Sequence, residues 1–380
     1  MVPAFSFMTA GDIRFGRGVA TEAAVQIATY GQRALLIHGK NASRSDWLVK
    51  ALYSNGCQVR RFTVAKEPDT SIIQEGTDTA RRFGADVVIA LGGGAVVDTG
   101  KAIAALAPSP RPMLDHLEIV GKGLPLECDP LTFVAIPTTA GTGAEVTCNA
   151  VIRVVEENRK VSMRDRRLYP KLALVDPALT DTCPRPITFA SGLDAITQVI
   201  EPYLCTQANE ITDALCRDAI PRGLKALNDL VHAEDPHARD EMAWVSLSGG
   251  LALANAGLGA VHGLAGPLGG LTGAAHGAIC GGLLPHVLSA NARLVEDENT
   301  LARIQQIRCW IANTLGGPTD EAFSRLADWA RAAGLPDFKA LGINKAQCKA
   351  AAVSAASSSS MKANPVMLGS EILEEIMTSA

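Results

Sequence analysis

The sequence predicts two domains: an α/β domain built on a parallel sheet, followed by an all-helical one. Strand–helix alternation with continuous Val/Ile runs in the first half is the main observation. The second is helical apolar periodicity in the second half, and the third is the proline pair Pro184 and Pro186 where the character changes. Strands of a parallel sheet are covered on both faces, so they read as unbroken apolar runs. The boundary gives domains of 1–183 and 184–380, each of ordinary size.

In order along the chain, Arg33 to Ile37 (RALLI) is the first clear strand, and Asp46 to Ser54 has a helical pattern. Gln58 to Thr63 is a strand and Ser71 to Phe83 a helix. Asp86 to Leu91 (DVVIAL) is a buried strand entering a Gly-rich turn, with a helix from Asp98 to Leu106. Phe133 to Ile136 (FVAI) precedes PTTAGTG. Ligands of such sheets bind in the loops at the carboxyl ends of the strands. After Pro184, helices are predicted over 189–203, 211–231, 239–256, 279–292, 300–315 and 319–333. The four serines at 357–360 read as a loop before the last helix, and no internal repeat is present.

Hydrophobic residues at 47% and charged residues at 19% exclude a disordered chain. With only 4% aromatics, the core must be closely packed Ala, Leu, Val and Ile. A net charge of -4 argues against nucleic acid as a partner. The nine cysteines form no CxxC pair and read as free thiols in a reducing cytoplasm. The opening MVPAFSFMTAGDIRFG lacks a basic stretch before an apolar core, so no signal peptide is expected. The stretch from Ala243 to Ala292 carries no charged residue. Glycines, Pro267, Asn255 and three histidines interrupt it, which fits buried helices and no membrane partner.

That stretch holds the first chemical signal, NAGLGAVHGLAGPLGGLTGAAH, with His262 and His276. Buried imidazoles need partners, and neutral imidazole is the commonest protein ligand for a metal. Asp194, in LDAITQ, supplies a carboxylate of the kind that completes such a site. The competing reading is two core histidines bonded to backbone carbonyls. The second signal is GGGAVVDTGK, where Gly92, Gly93 and Gly94 follow a buried strand and open a helix. That geometry presents backbone N–H groups to a phosphate, and Asp98 favours the helix dipole or holds the loop. An ordinary Gly-rich turn is the bland alternative. PTTAGTGAE adds small hydroxylated positions after the next strand.

Together, GGG-x-x-x-D-x-x-K, PTTAGTGAEVT, the DAITQxIE helix, and HGLAxPLGG leading to AHG resemble the iron-containing (group III) alcohol dehydrogenase family. The likeness runs from GDIRFGRG near the start to MKANP near the end. It implies a dinucleotide-binding α/β domain, a helical metal- and substrate-binding domain, and a metal in the cleft between them. It implies hydride transfer between NAD or NADP and a small alcohol or carbonyl substrate, and a homo-oligomer. Gly92, Gly93, Gly94, Thr138 and Thr139 would contact the pyrophosphate. Asp98, Thr147, Asn149 and Lys160 match positions near the nicotinamide and its ribose. The family's acidic, NAD-selecting position falls on Gly39. Lys40, Ser43 and Arg44 follow where a 2′-phosphate would lie, so NADP(H) is expected to be accepted at least as well as NAD(H).

Two departures stand out. The family's metal ligands are an Asp, a His four residues later and two further histidines. Asp194, His262 and His276 match, and would be the catalytic set, but the second position is Gln198. Gln198 shares a helix face with Asp194, so it is expected as a weak fourth ligand. Gly266 stands where many members have a histidine near the substrate. Two histidines and a carboxylate suit Fe2+ or Zn2+. The departures leave open a metal-independent reductase of the maleylacetate type. A sugar-phosphate cyclase shares the Gly-rich loop but typically lacks AGTGAEVT, and a non-catalytic nucleotide-binding protein leaves the Asp–His–His set without a purpose.

Overall fold

The computed structural model describes residues 4–356 and 358–380, which form two compact units. The first comprises Thr9–Thr139 and Gly143–Cys183. Its elements are β1 (Ile13–Phe15), α1 (Ala23–Tyr30), β2 (Arg33–Gly39), α2 (Asp46–Ser54), β3 (Gln58–Val64) and α3 (Thr70–Phe83). There follow β4 (Val87–Gly92), α4 (Gly94–Leu106), β5 (Thr132–Pro137), β6 (Asn149–Val154), β7 (Arg159–Arg164) and β8 (Leu172–Val175). Six strands make a parallel sheet in the order β1-β8-β5-β4-β2-β3. The expected parallel α/β sheet is therefore present. An antiparallel pair, β6 and β7, was not anticipated.

The apolar runs are split between the two faces by the two-residue strand period. Leu36, Ile89, Leu91, Val134 and Ile136 pack with α1 and α2 through Ile27, Leu48 and Leu52. Their neighbours Leu35, Ile37, Val88, Ala90 and Phe133 pack on the other face with α3 and α4 through Ala80, Val97 and Ile103. The chain runs from β2 outward to β3, then returns to place β4 on the other side of β2. The carboxyl ends of β2 and β4 thus flank a topological switch point, the usual place for a nucleotide in an open parallel sheet.

The second unit spans Pro184–Ala380 and takes in residues up to Met8 and Ala140–Thr142. It contains α5 (Arg185–Leu204), α6 (Glu210–His232), α7 (Pro236–Asn255), α8 (Ala260–Thr272) and α9 (His276–Leu294). Then come α10 (Glu298–Leu315), α11 (Ala322–Ala332), α12 (Lys345–Ala355), α13 (Ser359–Ala363) and α14 (Ser370–Ser379). The two outlying segments differ from the simple division at Pro184, and hydrogen bonds explain both. Asn255 exchanges two hydrogen bonds with the Met8 backbone, and the Gln198 amide reaches the Gly141 carbonyl. Ser357 lies outside the described residues; Ser358 caps α13 through the Met361 N–H, so the serine run begins a short helix.

From Gly192 to Leu204, α5 is buried on every side, as a helix at the centre of a bundle must be. Asp194, Gln198 and Glu201 lie at i, i+4 and i+7, on one face, all 5% exposed or less. Burying three polar groups on one stripe demands partners. No single helix among the described residues is long and apolar enough to cross a membrane.

Candidate functional site

In the sheet unit, α4 starts at Gly94 behind the N-cap Gly93, which has no side-chain capping bond. The Val96 and Val97 amides turn back to the Gly93 carbonyl, so what the helix start offers an anion is its dipole and the glycine amides ahead of Val96. The glycines also serve packing: a Cβ on Gly93 would press on Thr139 Oγ1 at 3.1 Å. The Thr138 amide donates to Gly92 O at 3.0 Å, binding the PTT loop to the glycine turn. Gly39 closes β2 beside these loops, and a Cβ there would meet open space. Lys40 is exposed. The Ser43 hydroxyl donates to Asn41 Oδ1, and Arg44 is hydrogen-bonded to Thr182, so two of the three groups expected at a 2′-phosphate have partners already.

Three of the other expected cofactor residues, Asp98, Thr147 and Asn149, gather around Lys101, to which the sequence pattern gives no role. Lys101, fully buried, donates to Thr147 Oγ1 at 2.8 Å and to the Asn149 carbonyl at 3.0 Å. Burial lowers its ammonium to about 8, with Asp98 pulling the other way. Asp98 is partly open to solvent yet walled by protein. Desolvation raises its carboxyl to about 6, against the attraction of Lys101, and it accepts from the Val151 amide at 3.1 Å. Glu145 is buried nearby and raised to about 7 by the same desolvation. Lys160, on β7, is ion-paired with Glu67, its side chain 7% exposed.

In the helical unit, Asp194, His262, His276 and Cys280 offer ligand atoms that all lie within 4.8 Å of one another. Asp194 Oδ1 is 3.4 Å from His262 Nε2 and 3.8 Å from His276 Nε2. That oxygen is buried and carries no hydrogen bond. An unsatisfied carboxylate oxygen facing two imidazole nitrogens is expensive unless a cation joins them, so this donor set fits a divalent metal. Burial alone would raise the Asp194 carboxyl, but His276 and His262 hold it below the usual range. Burial would lower His262, yet the Glu201 and Asp194 carboxylates outweigh it and lift the imidazole to about 10. The pocket asks for positive charge, whether a proton or a metal ion supplies it.

Glu201 is a second residue that sequence reasoning missed. Its Oε2 accepts from His262 Nδ1 at 2.6 Å, and its Oε1 accepts from the Val261 amide at 2.7 Å. This carboxylate fixes the ring so that Nε2 faces Asp194, the usual second support of a metal-bound histidine. Its signal was present in DAITQxIE, one helical turn beyond Gln198. Gln198 itself donates its amide nitrogen to Gly141 O at 2.7 Å, which fixes its head group. Cys280, the third missed residue, lies one turn after His276 with Sγ 3.7 Å from His276 Nε2. The helices come this close because Gly277 of α9 abuts α5, where a Cβ would collide with the Ala190 carbonyl. Gly266 has open space where a Cβ would stand.

The chain matches two family models, iron-containing alcohol dehydrogenase over residues 10–177 and the C-terminal part of that family over residues 188–380. A lactaldehyde reductase of Escherichia coli is 34% identical over 300 residues, covering 77% of this chain and 78% of the relative. A NAD-dependent methanol dehydrogenase of Bacillus methanolicus is 31% identical over 303 residues, 77% of each chain. Among solved structures, a 1,3-propanediol oxidoreductase superposes with a TM-score of 0.89 at 27% identity, covering 99% of both chains. An alcohol dehydrogenase from Oenococcus oeni gives 0.88 at 26%, covering 99% of this chain and 100% of its own. With its sheet unit and its helical unit each matched in full order, the chain belongs to the iron-containing alcohol dehydrogenase family.

Proposed function

We propose that this chain interconverts a small alcohol and its aldehyde or ketone, using NAD or NADP and a divalent metal held by Asp194, His262 and His276. The observation that carries the metal reading is Asp194 Oδ1, buried without a hydrogen bond and facing two imidazoles. When bound, the metal supplies Lewis acidity that favours alkoxide character on the substrate oxygen, and the nicotinamide supplies or accepts the hydride. Everything else is the work of this chain. Gly92, Gly93 and Gly94 with the amides of α4 hold the pyrophosphate, assisted by Thr138 and Thr139. Lys101 braces Thr147 and Asn149 for the cofactor's nicotinamide end, where Asp98 also lies. Glu201 keeps the proton of His262 on Nδ1 and so leaves Nε2 as a donor. Relatives named for lactaldehyde, methanol and 1,3-propanediol support a short-chain alcohol or carbonyl substrate.

The test is a panel of short alcohols, diols and aldehydes with both cofactors, before and after chelation and reloading with Zn2+ or Fe2+. Activity should fall on chelation and return on reloading. Asp194→Ala should lose turnover while still binding dinucleotide, because the nucleotide loops belong to the other unit. Wild-type turnover in Asp194→Ala would replace this reading with a metal-independent reductase.

A further inference from the structure

We propose that Cys280 is a metal ligand, bound as the thiolate, so that the site is Asp194–His262–His276–Cys280. This rests on the metal reading above and goes beyond the ligand set that the sequence pattern implies. His276 and Cys280 stand at i and i+4, on one face of α9, directed at the same point as Asp194 of α5 and His262 of α8. Zinc bonds nitrogen and oxygen at about 2.0–2.2 Å and sulfur at about 2.3 Å, so neighbouring ligand atoms of a tetrahedron lie roughly 3.3–3.6 Å apart. The separations here are 3.4 Å from Asp194 to His262, 3.8 Å from Asp194 to His276, and 3.7 Å from His276 to Cys280. Three edges of the figure are already within a few tenths of an ångström of their bonded lengths, and the substrate oxygen of the proposed reaction would enter as a fifth ligand.

The charges permit it. With Asp194 and two neutral imidazoles a divalent cation keeps one positive charge within the ligand set, and the Glu201 carboxylate on His262 Nδ1 offsets it from outside. A thiolate at Cys280 is favoured by its direct bond to the cation, which lowers the pKa of a thiol beside it. The Sγ–H proton leaves to solvent as the sulfur–metal bond forms, the ordinary course for a thiol beside a cation. Gln198 is the weaker candidate, being a neutral amide whose nitrogen is already engaged by Gly141. Cys280 is fully buried, which alone suits an inert core residue. Its sulfur beside an unsatisfied carboxylate and two imidazoles does not. A thiolate also shifts preference toward zinc and cobalt over hard cations such as magnesium and manganese.

Full-length protein stripped with a chelator and reloaded with cobalt(II) tests this. One equivalent should bind with a thiolate-to-cobalt charge-transfer band in the near ultraviolet. Cys280→Ser should lose that band, still bind cobalt, and hold zinc at least tenfold more weakly. X-ray absorption of the zinc-loaded wild type, which needs no variant, should show one sulfur at about 2.3 Å. Stoichiometric cobalt without the band, a band that survives in Cys280→Ser, or zinc without a sulfur neighbour would overturn the thiolate and leave the metal reading intact. A wild type that binds no cobalt or zinc would overturn both.

Discussion

Replacing Glu201 by glutamine removes one charge and almost no volume, yet it should weaken metal binding by 10- to 100-fold. The carboxylate serves two donors at once, His262 Nδ1 at 2.6 Å and the Val261 amide at 2.7 Å. Glutamine offers a single oxygen. If that oxygen stays on Val261, its NH2 group faces Nδ1 and forces the ring proton to Nε2, where it blocks the lone pair a metal needs. If it stays on His262, the Val261 amide is left buried and unpaired, a penalty of about 1–3 kcal/mol. Either way a charge-assisted bond becomes a neutral one of roughly half the strength. Loss of such a second support of a metal histidine typically costs 10- to 100-fold in affinity, about 1.4–2.7 kcal/mol. Competition against a chromophoric chelator at fixed pH reads the affinity, and circular dichroism confirms that the variant is folded. Affinity within about threefold of wild type in a folded Glu201→Gln would refute the reasoning.

Two further outcomes follow from the geometry. Gly39→Asp has open space for its side chain at the end of β2, so it should fold normally and shift the ratio of specificity constants toward NAD(H). A wild type already favouring NAD(H) by more than about tenfold, ~1.4 kcal/mol, would contradict the expectation that Gly39 and Lys40 admit a 2′-phosphate. Gly277→Ala should lower the melting temperature by several degrees and loosen metal retention, because its Cβ strikes backbone at Ala190, which cannot rotate away; a melting curve unchanged to within a degree would count against it.

The strands and helices with strong periodicity were legible: α2 is matched to the residue, and β2, β3, α3 and β4 to within two residues. What escaped was structure held by tertiary contacts. α8 carries Gly263, Gly266, Gly269, Gly270 and Pro267, so its intrinsic propensity is poor and packing against α9, α12 and α13 sustains it. The β6–β7 pair does alternate in burial, but it is short and carries Arg153, Arg159, Lys160 and Arg164, and it was not anticipated. At the site, Asp194, His262 and His276 could be named because a charge-free stretch makes two histidines conspicuous. Glu201 lies within DAITQxIE, but the motif gives it no role, because its hydrogen bond to His262 is visible only in the fold. Cys280 was one of nine scattered cysteines and looked like the others. Lys101 stands as the last residue of GGGAVVDTGK without a role there, which follows only from its burial.

The exposure of the four clustered side chains is sharply graded. His276 is 33% exposed, whereas Asp194 and His262 are below 10% and Cys280 is wholly inside. Their carriers, α5, α8 and α9, are held by the apolar core of the bundle, so the ligands stand in place before any ion arrives. On the proposed ligand set this gradient gives loading a direction: an incoming ion would meet His276 first and the sulfur last. Exchange would then begin by freeing the sulfur side and end at that one imidazole. The ion retained by such a site would be governed as much by the order of these steps as by the equilibrium preference of the four ligands.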